Sequence, residues 1–317
     1  MHVFCVGMYR SCSTWQYQVA SHLVERYFQG RRLGFRSGDD YAALTRSGEL
    51  AEDEWAVLKS HEKDRRFAHA LAKGRALGLY AYRDVRDVVD SLAFKLRLPV
   101  STVIQQGLVH RVLANDRYWR TRPRMLIQRY RVIVNHPAAA VAEIAVHLGL
   151  HLTPDEAAAV AEEYSLEANR RRTAAMKERM EACRLDAADP ANHLCFDAQT
   201  LLHWNHLRRG DDGGWRTGLE PRHLELVGRL CGTWLIRRGY ESDRSWMPAR
   251  PRMSLSQALR HECALRAELA QAFLRATLYF ASLRAPRAVA LLRRALGRSP
   301  LPASSEPLAR PAPEPRR

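Results

Sequence analysis

Along the first 150 residues, short apolar runs alternate with stretches whose apolar positions recur at helical spacing. A short apolar run reads as a buried strand, and a 3.6-residue period reads as a helix with one face turned inward. Strands are therefore expected at 3–7, 55–60, 77–82 and 125–129. Helices are expected at 13–28, 64–72 and 85–96, with one long helix spanning 102–120. Two more follow at 138–148 and 154–167, each with a proline near its start, where the missing N–H costs no helix bond. Strands each followed by a helix describe βα units and a parallel sheet.

Beyond this region the pattern changes. Residues 168–205 read as polar and irregular until Thr200-Leu201-Leu202-His203. A helix is expected at 221–238, closed by Gly239 in the position that ends many helices. Pro248 and Pro251 mark a boundary, after which 254–297 reads as one or two Leu/Ala/Arg helices interrupted near Pro286. Residues 299–317, rich in Pro, Ser and Ala, are expected to be disordered. The expected organisation is a domain over 1–245, a helical C-terminal extension over 254–297 and a tail over 299–317.

Composition narrows this picture. With 46% hydrophobic residues in 317, the chain has the material for a sizeable core. Its six cysteines, at 5, 12, 183, 195, 231 and 263, form no CxxC pair and no metal-like spacing with histidine. They read as free thiols in a reducing compartment, with no metal site. The apolar run at the N-terminus is too short for a signal peptide. No stretch approaches the ~18–20 apolar residues that span a bilayer, so a cytoplasmic location is expected. The net charge is +16. Residues 250–317 hold thirteen arginines against four glutamates, an excess of nine, so +7 remains on residues 1–249. That remainder favours an anionic ligand.

The candidate chemistry begins at the first strand. A strand, a tight loop and a helix bring backbone N–H groups and the positive end of a helix dipole together on an anion. Here the loop carries Arg10, Ser11, Ser13 and Thr14. Plain helix capping by the hydroxyls is the alternative. The G-x-x-x-x-G-K-[ST] pattern of ATP-binding loops is absent, which disfavours ordinary ATP chemistry.

Three further segments fall in line behind it. The loop Tyr9-Arg10-Ser11-Cys12-Ser13-Thr14-Trp15 resembles the 5′-phosphosulfate loop of sulfotransferases, commonly [KR]-S-G-T-T-W. Lys59-Ser60-His61 resembles that family's K-[TS]-H. Arg83 and Ser91, eight positions apart, resemble its 3′-phosphate motif, and Arg208-Arg209-Gly210 with Trp215 resembles its late R-K-G-x-x-G-x-W loop. The resemblance covers residues 1 to about 240 and implies an α/β fold, a three-layer P-loop-type parallel sheet flanked by helices, here with a C-terminal helical appendage. It departs from the family pattern at Cys12, which replaces the usual loop glycine.

The resemblance also implies roles. The donor would be 3′-phosphoadenosine-5′-phosphosulfate (PAPS), with no metal. Arg10, Ser11, Cys12, Ser13 and Thr14 would hold its phosphosulfate, and Trp15 would stack on adenine or else pack in the core. Arg83 and Ser91 would bind the 3′-phosphate, with Arg208, Arg209 and Gly210 closing over it. Lys59 would touch the transferring group, and His61 would act as general base, with Glu62 as the reserve. His203 and His206 would line the acceptor site or simply pack. The acceptor would be a hydroxyl or amine of a small molecule, lipid or carbohydrate. The competing readings are a P-loop-like kinase and a basic nucleic-acid-binding protein. The Arg excess lies in an Ala/Leu-rich helical segment, which fits oligomerisation or a membrane surface better than a nucleic-acid groove.

Overall fold

Alternate residues of a strand face opposite sides of a sheet, and this places the layers here. The structure, a computed structural model, describes residues 1–186, 189, 192, 195–207, 210, 212–249 and 253–285. Its strands are β1 (His2–Cys5), β2 (Arg31–Phe35), β3 (Ala56–Lys59), β4 (Ala76–Tyr82) and β5 (Met125–Arg129), all parallel, in the order β2-β3-β1-β4-β5. The helices are α1 (Ser13–Phe28), α2 (Gly38–Ser47), α3 (Arg65–Ala72), α4 (Val85–Leu96), α5 (Val100–Gln105), α6 (Leu108–Arg120), α7 (Tyr130–Asn135), α8 (Pro137–His147), α9 (Pro154–Glu163), α10 (Leu166–Ala182), α11 (Trp215–Gly218), α12 (Pro221–Arg237) and α13 (Leu255–Arg284). The described residues fall into two compact units, one built from 1–83 and 115–210, the other from 84–114 and 212–285.

In the first unit, Val3, Cys5, Val57, Leu79 and Ala81 point into one fully buried cluster with α1, α8 and α9. Phe4, between Val3 and Cys5, points the other way and meets Tyr41 of α2 and Phe67 of α3, with ring centroids 5.2 and 4.8 Å apart. The expected three layers are therefore present: helices, a five-stranded parallel sheet, helices. The chain leaves β1 toward β2 on one side of the sheet and later crosses to β4 on the other. In open parallel sheets, such a reversal opens a crevice at the carboxyl ends of the strands. That edge carries the ends of β1, β3 and β4.

Several expectations need correction. The long helix over 102–120 is two helices, broken at Gly107, which takes φ +79°. A Cβ at Gly107 would lie 2.6 Å from the Ala272 carbonyl oxygen and 2.7 Å from the Ala276 nitrogen, so glycine admits the backbone of α13 there. Strand β2, an Arg-rich edge strand, lacks the apolar run that marks its neighbours. The region read as irregular from 168 contains α10, capped by the Ser165 hydroxyl. Its buried residues are Ala168, Asn169, Thr173, Met176 and Met180. Two of those five are polar, which hides the helical period from an apolar count.

In the second unit, α4 packs with α5, α11 and α12, and α13 packs on α5 and α12. Arg229 of α12 donates to Glu262 of α13 at 2.7 and 2.9 Å, and His261 lies 2.9 Å from Glu225. Among the described residues, no helix is long and apolar enough to cross a membrane, and no cluster of three or more His, Cys, Asp or Glu side chains could hold a metal ion. The expected disordered tail and the interruption near Pro286 lie outside the described residues.

Candidate functional site

The loop after β1 is built by pressing against β4. Val6 and Met8 donate to the carbonyls of Leu79 (2.9 Å) and Ala81 (2.8 Å), so the chain runs on along β4 after β1 has ended. A Cβ on Gly7 would come within 2.9 Å of the Ala81 backbone and of Ser13, so the close approach requires glycine. Ser11 is fully buried, its hydroxyl 2.7 Å from the Met8 carbonyl and 2.9 Å from that of Ala81. It ties the loop to the sheet. Arg10 and Cys12 both adopt left-handed backbone, at φ 59° and 72°. Cys12 is the N-cap of α1 and makes no side-chain cap; Ser13 and Thr14 already lie inside the helix. The loop hydroxyls are therefore not the N-cap, and the capping alternative does not describe this helix start.

Lys59 and His61 come from the end of β3, beside the loop. Cys5 and Lys59 are register partners, and Ser60 donates to the Cys5 carbonyl at 3.0 Å. His61 Nδ1 lies 2.8 Å from the Gly7 carbonyl oxygen, and its Nε2 lies 3.0 Å from Lys59 Nζ. A carbonyl only accepts and an ammonium only donates. These two contacts place the proton on Nδ1 and a lone pair on Nε2, which is the neutral imidazole. Lys59 and His61 are 4% and 9% exposed.

Arg83 follows β4 on the same edge. One of its terminal nitrogens donates to the Arg10 carbonyl at 3.4 Å, and its guanidinium carbon sits 4.0 Å from the centre of the Tyr130 ring. Tyr130, immediately after β5, donates its hydroxyl to the Gly210 carbonyl at 3.1 Å. Arg10 itself donates to the carbonyl of His206, whose ring stacks on His203 with centroids 5.6 Å apart. The Cys12 thiol records the local field: burial pushes it up to about 12, against the opposing pull of Arg83 and Arg10. Three cations thus gather around residues 7–12, at a helix start whose N-cap side chain makes no cap bond. Such an array fits a phosphorylated or sulfated anion.

The remaining expected residues fall elsewhere. Trp15 is 9% exposed and belongs to the core cluster of α1. Ser91 is 7% exposed on α4, in the second unit, while Arg83 closes a segment of the first. Arg208 and Arg209 lie outside the described residues; Gly210 is described and takes φ +80°.

The second unit organises the segment that follows Gly210. Asp87 of α4, 2% exposed, accepts from the backbone N–H groups of Gly213 and Trp215, both at 3.0 Å. Arg86 lies in the corner of two tryptophans, its guanidinium carbon 3.8 Å from the centre of the Trp215 ring and 4.5 Å from that of Trp246. Burial works against its charge, but Asp84 and Glu241 outweigh it and hold the guanidinium above its ordinary value. Sequence reading missed Tyr130, Asp87 and the Tyr9–Glu62–Asn115 contacts described below. For Tyr130 a signal existed: it directly follows a strand, on the edge where a parallel sheet binds its ligands.

No family model and no curated relative matches the chain. Solved structures do share its fold. Retinol dehydratase in complex with androsterone and the inactive cofactor PAP aligns over 79% of this chain and 82% of its own, at 17% identity and a TM-score of 0.51. Mouse sulfotransferase SULT7A1 complexed with PAP aligns over 74% of this chain and 84% of its own, at 15% identity and a TM-score of 0.52. Retinol dehydratase in a complex with retinol and PAP aligns over 79% and 83%, at 17% identity and a TM-score of 0.51.

Proposed function

We propose that this protein is a sulfotransferase that moves a sulfuryl group from PAPS to a hydroxyl or amine of a small-molecule acceptor. The observation that carries the reading is the gathering of Arg10, Lys59, His61 and Arg83 around residues 7–12, through the contacts of His61 with Gly7 and of Arg83 with Arg10. Each comes from a segment that resembles a sulfotransferase motif, and the fold shared with PAP-bound sulfotransferases supports the same conclusion. Neither the kinase nor the nucleic-acid reading gains an observation of comparable weight.

In this reading the acceptor oxygen attacks sulfur while the bond from sulfur to the bridging oxygen breaks. The acceptor proton passes to Nε2 of His61, and the electron pair of the broken bond leaves on the 5′-phosphate of adenosine 3′,5′-bisphosphate (PAP). Transfer of this kind asks the protein for positioning and charge stabilisation. Arg10 and the first-turn amides of α1 face the charge that builds on the phosphate. Lys59 is drawn to the transferring group, and its departure uncovers the Nε2 lone pair of His61 for the acceptor. Arg83 serves the 3′-phosphate, with Tyr130 supporting its guanidinium plane. The retinol dehydratase complexes hold androsterone or retinol together with PAP, and an apolar small molecule with one hydroxyl is the acceptor class we favour here.

Calorimetry with PAP tests the donor site directly. The full chain should bind PAP, and Arg10→Ala or Arg83→Ala should weaken binding at least tenfold, a typical loss for a charge-assisted contact. His61→Ala should keep PAP binding while losing a factor of about 10²–10⁴ in turnover of PAPS, the range for a general base. A protein that ignored PAP and bound ATP–Mg²⁺ would sink the proposal.

A further inference from the structure

Beside the base lies a second group of side chains that the motifs do not explain. The Tyr9 ring rests against the His61 imidazole, with centroids 4.6 Å apart and planes at 41°. The Tyr9 hydroxyl donates to Glu62 Oε1, and Asn115 Nδ2 donates to Glu62 Oε2 at 3.0 Å. Asn115, on α6 and 4% exposed, also accepts from the Lys63 N–H at 3.2 Å, so it is held in turn. The main-chain carbonyl of His61 receives Trp119 Nε1 from one turn further along the same helix, at 3.4 Å. Neither Tyr9 nor Glu62 belongs to the motif pattern that Arg10 and His61 share with sulfotransferases.

We propose that Asn115, Glu62 and Tyr9 form a brace that fixes the His61 ring, and that Glu62 is a positioning residue rather than the base. The inference rests on the sulfotransferase reading for what His61 does, but the brace itself rests on these contacts alone. Each oxygen of Glu62 accepts from a neutral donor, and those bonds would weaken if the carboxylate took up the acceptor's proton. Nε2 of His61 is covered by an ammonium, which an anionic donor attracts far more strongly than it attracts a phenol or an amide. The brace therefore favours the His61 lone pair over Glu62 as the proton acceptor. The Tyr9 ring, packed against the imidazole, restrains rotation that would break the Nδ1 contact with Gly7.

Nitrogen-15 NMR of the imidazole reads the tautomer without any acceptor, and release of sulfate from PAPS to water reads turnover. In the wild-type chain His61 should show a single neutral form with the proton on Nδ1. Glu62→Ala should convert this to exchange-averaged signals, and Tyr9→Phe, which keeps the ring and folds more safely, should do so to a smaller degree. Glu62→Gln, whose side-chain oxygen still accepts from Tyr9, should stay within about tenfold of wild-type turnover, the scale of one altered hydrogen bond. A loss of ~10²-fold or more in Glu62→Gln with the tautomer unchanged would make Glu62 the base and overturn the assignment. Unchanged imidazole signals in both Glu62→Ala and Tyr9→Phe would overturn the brace. Failure of the wild-type chain to bind PAP would remove the sulfotransferase reading and leave the tautomer result to judge the brace by itself.

Discussion

Arg10 and Cys12 hold a backbone region that costs an L-residue roughly 1–2 kcal/mol. At Arg10 the strain accompanies a side chain to which the proposed function gives a charge-stabilising role. At Cys12 the thiol makes no cap bond, and the related motif has glycine. Cys12→Gly removes the strain, while Cys12→Ala keeps it, so the glycine variant should be the more stable of the two by about 1 kcal/mol after its greater unfolded-state entropy is counted. Thermal melts of the pair decide this; equal midpoints would mean that the loop is not strained at this position. Much of the candidate site was legible one residue at a time: Lys59, His61 and Arg83 sit at or within two residues of the end of a readable strand, and Arg10 sits in the loop that follows one. What was not legible is contact between residues far apart in the chain, such as Tyr9 with Glu62 or Arg10 with the His206 carbonyl. No local period or propensity encodes such a pair, and a carbonyl acceptor leaves no trace in residue type at all.

At the scale of elements, α4 does more than carry Ser91. Its Asp87 accepts from the N–H of Gly213, just before α11, and from that of Trp215, its first residue, and its Arg86 packs on the Trp215 ring. A four-residue helix cannot hold itself in water, so α11 depends on these contacts. Asp87→Ala strands the buried Trp215 N–H and the half-buried Gly213 N–H and should cost about 2–4 kcal/mol, and Asp87→Asn, which keeps one acceptor oxygen, about half as much. Urea unfolding followed by tryptophan fluorescence measures both; an alanine variant with the wild-type midpoint would refute the dependence. Strands that bury an apolar run, such as residues 3–5 of β1 and most of β4, were readable because pattern and burial coincide, and α1 was readable although Gln16, Gln18 and Ser21 lie in its buried part. Strand β2 was not, because an edge strand can carry arginines, and α10 was not, because Asn169 and Thr173 interrupt its buried apolar positions.

For the molecule as a whole, the buried acids set a limit on alkaline conditions. Burial raises the thiols of Cys5, Cys12 and Cys231, and raises the phenols of Tyr17, Tyr41 and Tyr164 to about 12. On unfolding, each thiol returns to an ordinary value near 9 and each phenol to one near 10. The unfolded chain therefore sheds protons that the folded chain keeps, and stability must fall as pH rises above about 9, more steeply above about 10. Melting temperatures recorded from pH 8 to about 11 should trace that fall; a flat profile would contradict the burial of these groups.

The bare backbone at Gly107 has a historical consequence. Helix α13 lies against it so closely that any side chain there would strike the main chain of the helix. A helix added to this domain would need glycine at position 107, already present or newly acquired, to dock in this way. A related chain with any other residue at 107 should lack a helix docked there, whereas glycine alone, favoured in any case by the φ of +79°, does not mark the helix as present.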